Sequence, residues 1–491
     1  GSDDVHPLSE LRQTSYNDLL KRIPPTVQLV LIGEGTHGTE EFFHIRSEVT
    51  QCLLEQHGFN GMLCEGDVHP FFELNSYVNQ AANFDTAAGR DNEHHQIRSM
   101  LSQLFSDSFP HWMWSNSPFA DLLSWMKALN CNTGRKLQIM GMDLLSPFAS
   151  MDYILRQLRE LGEDEMVRSI NECYETFFQY RNDVRRYGND IYANKVPPQE
   201  NAMKTARDIL LQKYKSNNAP QSLDDVQELQ TWSELIRNAH AIVASEAYHR
   251  QRIYPGHVAT WNLRTKFMFD SISRSLDHIN DLRAVRVGNN EMQRPVRMVV
   301  WAHNSHVNCA GGYASLGQIS LGQLCRETFR DDNIFLIGMT TYEGTVRAAH
   351  ADRQGACYKG RGEVMRLKKA IVSSHEKSLH SIAETMKPCE EQAFGLYLRG
   401  MRGGDVGTNA NSFNCYRPER FVGSCYLPQT EVMSHYTDCN LSTQFDYIIV
   451  VSDTEGCESE SGCAEAAIAI ITNATRILFF YSIILHLYLS E

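Results

Sequence analysis

Short apolar runs recur along this chain, each stopped by glycine, a carboxylate or a histidine, and between them apolar residues return every three or four positions. Val27, Leu29, Val30, Leu31 and Ile32 make the first run, the pattern of a strand buried on both faces. GEGTHG follows, placing Glu34 and His37 among three glycines. From Thr39 the period lengthens. Phe42, Ile45, Val49, Cys52 and Leu53 share one helical stripe, and Glu40 and Glu41 stand in the first turn, where the helix dipole favours carboxylates. Met62 to Cys64 is a second run, ending in Glu65-Gly66-Asp67, and Leu137 to Met142 a third, ending in Asp143. Met298 to Trp301 leads into Ala302-His303-Asn304-Ser305-His306, Ile334 to Met339 into a stretch with Thr341 and Glu343, and Phe445 to Val451 is the last strand predicted. Helices are expected over Pro70 to Gln80, DLLSWMKALN and LGQLCRETF, with a loop over Asn83 to His95.

Strands alternating with helices imply an α/β protein with a mostly parallel central sheet. From Met151 to about Arg250 only helical segments occur, and HVATWNLRTKFMFDSI continues them, with Arg264 on a face shared by Trp261, Phe267 and Met268. A helical insertion between two strands, covering the site, is therefore expected. The chain divides as 1–150, the first half of the core; 151–290, the insertion; 291–458, the second half; and 459–491, an apolar tail.

Composition narrows the function. A chain of 491 residues exceeds one typical domain, and so should form two or three substructures around one sheet. A net charge of −13 gives no basic footprint for nucleic acid. The 13 cysteines are odd in number with no CxxC pair, and Cys52, Cys64 and Cys325 lie in apolar runs. Reduced thiols and a cytoplasmic location are expected. GSDDVHPLSE has neither the basic nor the apolar region of a secretory signal, and Asn473, Arg476 and His486 interrupt the apolar stretch Ala464 to Leu489, which argues against a membrane span. A monomer acting on a small molecule is the expected form.

Five strand ends carry polar groups: Glu34 and His37; Glu65 and Asp67; Asp143; His303 and His306; Thr341 and Glu343. In a parallel sheet they converge on the rim where open α/β folds bind ligands. Arg46 lies within the stripe of its helix, and helical side chains tilt toward the N-terminus, here toward His37. Each feature also has an ordinary structural role, as a helix cap, a satisfied core histidine or an arginine stem beside apolar residues. With neither a GxSxG elbow nor HExxH, nor a Walker loop, the inventory fits a hydrolase in which histidine activates water and a carboxylate orients it. It also fits a metal site of histidine and carboxylate ligands.

GEGTHGTEEFFHIR, EGD, FPHWMW, GMD, TWNLR, VVWAHNSH, the GTV of YEGTV, PERFVGSCYLPQTEVMSHY and QFDYIIV together resemble the erythromycin esterase family, in order, over Val27 to Asp453. The resemblance implies a three-layer α/β/α core with inserted helices and hydrolysis of a macrolide lactone or related ester by histidine-activated water; no cofactor is expected, and no metal, since two arginines beside the histidines and carboxylates repel a cation as much as the acids attract it. It makes His37 the general base and places Glu34, Arg46, Glu65, Arg264, His303 and His306 on the family's other functional positions. Arg264, Asp67, Asp143, Thr341 and Glu343 are expected to bind substrate. Val68 stands where many members have tryptophan. A metal-dependent hydrolase or metal-binding protein on the same core is the alternative.

Overall fold

A computed structural model describes residues 5–7, 16–81, 87–106, 110–216, 223–287, 295–309, 317–350, 362–385, 393–401 and 413–458. Its strands are β1 (Val5–Pro7), β2 (Leu29–Glu34), β3 (Gly61–Asp67), β4 (Gln138–Asp143), β5 (Met298–His303), β6 (Ile334–Ala348), β7 (Glu363–Leu367), β8 (Ala393–Tyr397), β9 (Tyr416–Arg420), β10 (Tyr436–Asn440) and β11 (Tyr447–Thr454). The main sheet runs β1-β8-β11-β6-β2-β5-β3-β4, with β7 paired to β6, while β9 and β10 form a separate hairpin. Pairing is parallel from β11 through β4; β1, β7 and β8 join antiparallel.

Alternating residues of each strand serve two cores, which explains the continuous apolar runs. Val30, Ile32, Met62, Val299 and Trp301 pack on one side with the helices Glu40–Gln56, Val68–Asn79 and Ser117–Thr133. Leu29, Leu31, Leu63, Met298 and Val300 face the other side, against Met268, Ile272 and Leu276 of the helix His257–Val287 and Leu321 and Cys325 of the helix Leu321–Phe329. The sheet is thus covered on both faces, as expected of an α/β/α arrangement. Between β4 and β5 the described residues are helical, and Met151, Ile154, Tyr174, Phe177, Leu210 and Leu235 form a core of their own. No helix among the described residues is long and apolar enough to cross a membrane.

Four expectations change. Asn83 to His95 is not all loop: a helix spans Ala87–Leu104, anchored by buried Ile97 and Leu101 at a spacing of one turn. β6 does not end at Met339 but continues to Ala348, because β11 and β7 flank and pair its later half. The last strand is Tyr447–Thr454 rather than Phe445 to Val451, since Phe445 terminates the preceding helical turn. Cys52, Cys64 and Cys325 are free and buried as expected, but Cys425 is disulfide-bonded; spacing along a chain does not show which thiols folding brings together. The apolar tail after Glu458 lies outside the described residues.

Candidate active site

Register places the site. Glu34 at the end of β2 is opposite His303 at the end of β5, and Cys64 of β3 is opposite Trp301, so Glu65 emerges beside His303. An irregularity between Cys64 and Asp67 then re-aims the β3 end, leaving Asp67 opposite Asp143 of β4. The turn after β2 carries His37, whose Nδ1 lies 2.9 Å from Glu34 Oε1. That bond fixes the ring and leaves Nε2 for the cavity that His37 lines.

The glycines of this turn have the spacing of a dinucleotide-binding loop, yet protein atoms fill the space beside them. A Cβ on Gly33 would meet Asn304 Oδ1 at 2.3 Å, and one on Gly38 the Arg347 carbonyl oxygen at 2.0 Å. They allow backbone to pack on backbone rather than on a phosphate. Gly38→Ala is therefore expected to displace the His37 turn, lowering Tm and turnover together; an unchanged Tm in a melting experiment would show that the turn yields without cost.

Arg46 supports the pair from beneath. Its Nη2 lies 2.8 Å from Glu34 Oε2 with both side chains fully buried. The guanidinium sits between the rings of Phe43 and Trp301, at 4.5 and 4.6 Å from their centroids. Its N–H groups are not aligned for a hydrogen bond to the carboxylate, so charge and ring contact hold it.

Arg264 organises the second half of the site from the helix His257–Val287. Its Nη2 lies 2.6 Å from both Glu65 Oε1 and Asp143 Oδ2, its Nε 3.0 Å from Asp143 Oδ1, and its Nη1 3.2 Å from His306 Nε2. Burial raises the Glu65 carboxyl, but His306, Arg264 and His37 outweigh it and hold Glu65 well below the usual carboxylate range. Burial, with Arg264 adding, pushes His306 down to about 4 against the pull of Glu65, so its Nε2 accepts from Arg264 at neutral pH. His306 stacks on Trp261 at 4.4 Å, and its Nδ1 has no protein partner. The guanidinium thus occupies the position between two carboxylates and an imidazole that a cation would take. Among the described residues no group of three or more His, Cys, Asp or Glu side chains is arranged to hold a metal ion.

His303 is more constrained than its motif suggests. Its Nδ1 lies 2.8 Å from Ser305 Oγ and accepts the Ser305 N–H, its Nε2 lies 3.2 Å from the Gly35 carbonyl oxygen, and its backbone N–H donates to Glu65 Oε2 at 2.7 Å. Burial and the adjacent His37 ring, at 4.7 Å, keep it neutral. With both ring nitrogens engaged, it positions the Gly35 turn.

The cavity is small, about 170 Å³, with His37, Glu65, Asp67, Asp143 and Arg264 on its polar side and Phe105, Met113, Trp114 and Leu145 on its apolar side. Asp67 accepts from the backbone N–H groups of Leu145 and Ser146 and so fixes the turn after β4. Burial and the neighbouring Asp143 push its carboxyl up to about 6. Thr341 and Glu343 do not reach this cavity. Both lie within the continuing β6, where the Thr341 hydroxyl donates to the Glu343 carbonyl and Glu343 pairs with Lys369 at 3.4 Å. The strand end expected there does not exist. The sequence reading missed Ser424, which lines the cavity; the only signal was its place in PERFVGSCY, just after an apolar pair.

Behind the site, Asn304 donates to the Met339 carbonyl and to Glu419 Oε1 at 3.4 Å, and Gln444 donates to Glu419 Oε2 at 3.1 Å. Burial, with Glu376 nearby, pushes Glu419 up to about 8 from an ordinary value of 4.5. The folded chain therefore holds a proton that the unfolded chain releases, and stability falls as pH rises through that interval. Glu419→Gln, which cannot ionise, is expected to gain Tm over the parent from pH 5 upward and level off above about 8. A pH-independent difference in melting curves would contradict this.

Comparison with known proteins extends the picture. Three solved structures share the fold: a Bacillus cereus protein with TM-score 0.66 at 16% identity over 92% of this chain and 96% of that chain; a succinoglycan biosynthesis protein with TM-score 0.64 at 18% identity over 93% and 96%; and a histidine-to-asparagine mutant of erythromycin esterase EreC in its open conformation, with TM-score 0.55 at 16% identity over 92% and 98%. Erythromycin esterase type I of Escherichia coli is 28% identical over 144 residues, 29% of this chain and 30% of that protein, so the match spans less than a third of that relative's length. The erythromycin esterase family model matches residues 54–454, beginning after Glu34, His37 and Arg46, whose relation to the rest of the site rests on geometry. That match takes in Glu65, Asp143, Arg264, His303 and His306 and most of the sheet, and by it the chain belongs to the erythromycin esterase family.

Proposed function

We propose that the protein is a carboxylic ester hydrolase that opens a lactone or related ester with water activated by His37. The observation that carries this reading is the His37–Glu34 pair, anchored by buried Arg46, at the edge of a cavity whose other polar wall is the Glu65–Arg264–Asp143 cluster. In the proposed reaction His37 Nε2 takes a proton from water as the water oxygen bonds to the carbonyl carbon, and the carbonyl oxygen takes up the negative charge. Collapse breaks the bond to the alcohol oxygen, and the proton held by His37 passes to that oxygen, giving an acid and an alcohol, or one hydroxy acid from a lactone. Glu34 keeps the ring in the needed tautomer and stabilises its charged form. Membership of the family supports a macrolide lactone as the finer substrate assignment. At about 170 Å³ the cavity is smaller than the roughly 300–1,000 Å³ of drug-sized ligand pockets, so it holds the reacting ester group, with the bulk of a large lactone outside.

Turnover of compact esters, simple lactones and a macrolide, with and without chelator, tests this. Hydrolysis of at least one of them, unchanged by chelator, is expected. Silence on every ester would overturn the reading, and activity lost on chelation and restored by metal would replace the mechanism.

A further inference from the structure

Apart from the chamber lined by His37, the helical insertion carries a concavity of about 570 Å³, within the roughly 300–1,000 Å³ of small-molecule sites. It lies between the helices Leu223–Gln251 and His257–Val287, flanked by Glu200 of the helix Glu200–Ser216. Ala259, Leu263, Lys266, Asp270 and Arg274 line it at steps of three and four residues, which is one side of a helix. Arg264, Met268 and Ile272 occupy the other side of that helix, toward Asp143 and the sheet. The groove is therefore distinct from the candidate active site.

Its lining does not suit a surface that meets only water. A solvent-facing helical stripe is ordinarily polar, yet Val243, Ala244 and Ala247 run along one helix and Ala259 and Leu263 along the other, all of them partly exposed. Alanine side chains end at Cβ, so the space between the two helices stays unfilled. From His240 to Gln251 the floor extends about 16 Å at the rise of an α-helix, room for a medium-length alkyl chain.

Charge decides which head group fits. The acids of the groove already have cations: Glu200 lies 2.5 Å from Lys204 Nζ and 2.7 Å from Arg250 Nη2, and Asp270 lies 3.5 Å from Arg274 Nη2. Lys266 is exposed and has no acid partner among the described residues. Burial, with Arg274 and Arg207 adding, pushes His240 down to about 4 against the pull of Asp208, and Arg207 likewise disfavours the charge on Arg274. An anion at this end would meet Lys266 and relieve the repulsion between the two arginines, whereas a cation would have to compete with cations already in place.

We propose that this groove binds an amphipathic anion, a medium-chain carboxylate whose chain lies on the alanine floor and whose head group meets Lys266. The proposal is independent of the hydrolase reading. Calorimetric titration of the full chain with decanoate, decanol and decylammonium tests it, alongside Lys266→Gln and Ala247→Trp. Lys266 is exposed, so its replacement should leave Tm unchanged, and Ala247→Trp fills the floor. The expected result is one saturable site for decanoate, with decanol and decylammonium at least tenfold weaker. Lys266→Gln should weaken decanoate by about threefold or more and leave decanol as it was, while Ala247→Trp with unchanged Tm should lose both. Absence of saturable binding by the parent overturns the proposal, as does decanol or decylammonium binding as tightly as decanoate. Decanoate bound equally by the parent and by Lys266→Gln also overturns it, and so does retention by Ala247→Trp, which would place the ligand elsewhere, the chamber of His37 included.

Discussion

His37→Asn is expected to lower kcat by about 10²- to 10⁴-fold, the range contributed by a general base, while the protein stays folded. Asparagine is close to histidine in size and keeps a polar group near Glu34 Oε1, 2.9 Å from the present Nδ1, but it takes no proton from water. KM should move little, because a base acts chiefly in the transition state. Near-normal turnover by folded His37→Asn would reject the assignment.

Arg46→Met should produce the largest loss of stability, about 3–5 kcal/mol and several degrees of Tm. Arg46 and Glu34 are fully buried, and the guanidinium is the cation between Glu34 and the rings of Phe43 and Trp301. Removing it leaves a carboxylate in apolar surroundings with only His37 as partner. Adding Glu34→Gln to Arg46→Met should recover part of the loss, since a neutral pair no longer strands a charge. Chemical denaturation of the two variants checks both statements. A double variant no more stable than Arg46→Met would show that the cost lies in lost packing of the stem.

The rim of the sheet was readable from sequence because β2, β3, β4 and β5 are short, buried on both faces, and carry Glu34, Glu65, Asp143 and His303 at or near their carboxyl ends. Such a strand leaves little room for a shift in register without burying charge. Arg264 was noticeable as a cation among apolar neighbours, but its triple partnership comes from three distant segments and has no local signature. Thr341 and Glu343 misled because a polar stretch after an apolar run also describes a strand leaving the core with one face exposed, which β6 does beside β7. Ser424 was hidden for the opposite reason: its segment is held against the turn that carries His37 by backbone, through Val422 and Gly35, and backbone pairing is indifferent to side-chain type.

The guanidinium between Glu65, Asp143 and His306 is carried 199 positions along the chain from Glu65. Because it is covalently attached, its local abundance is set by folding rather than by solution composition, and dilution or a chelating agent does not remove it. The inserted helices therefore supply the positive charge that balances two acids at the end of the sheet. A homologue that shortened this insertion would have to change the acids or find another cation, so the length of the insertion and the acidity of the rim are expected to vary together rather than independently.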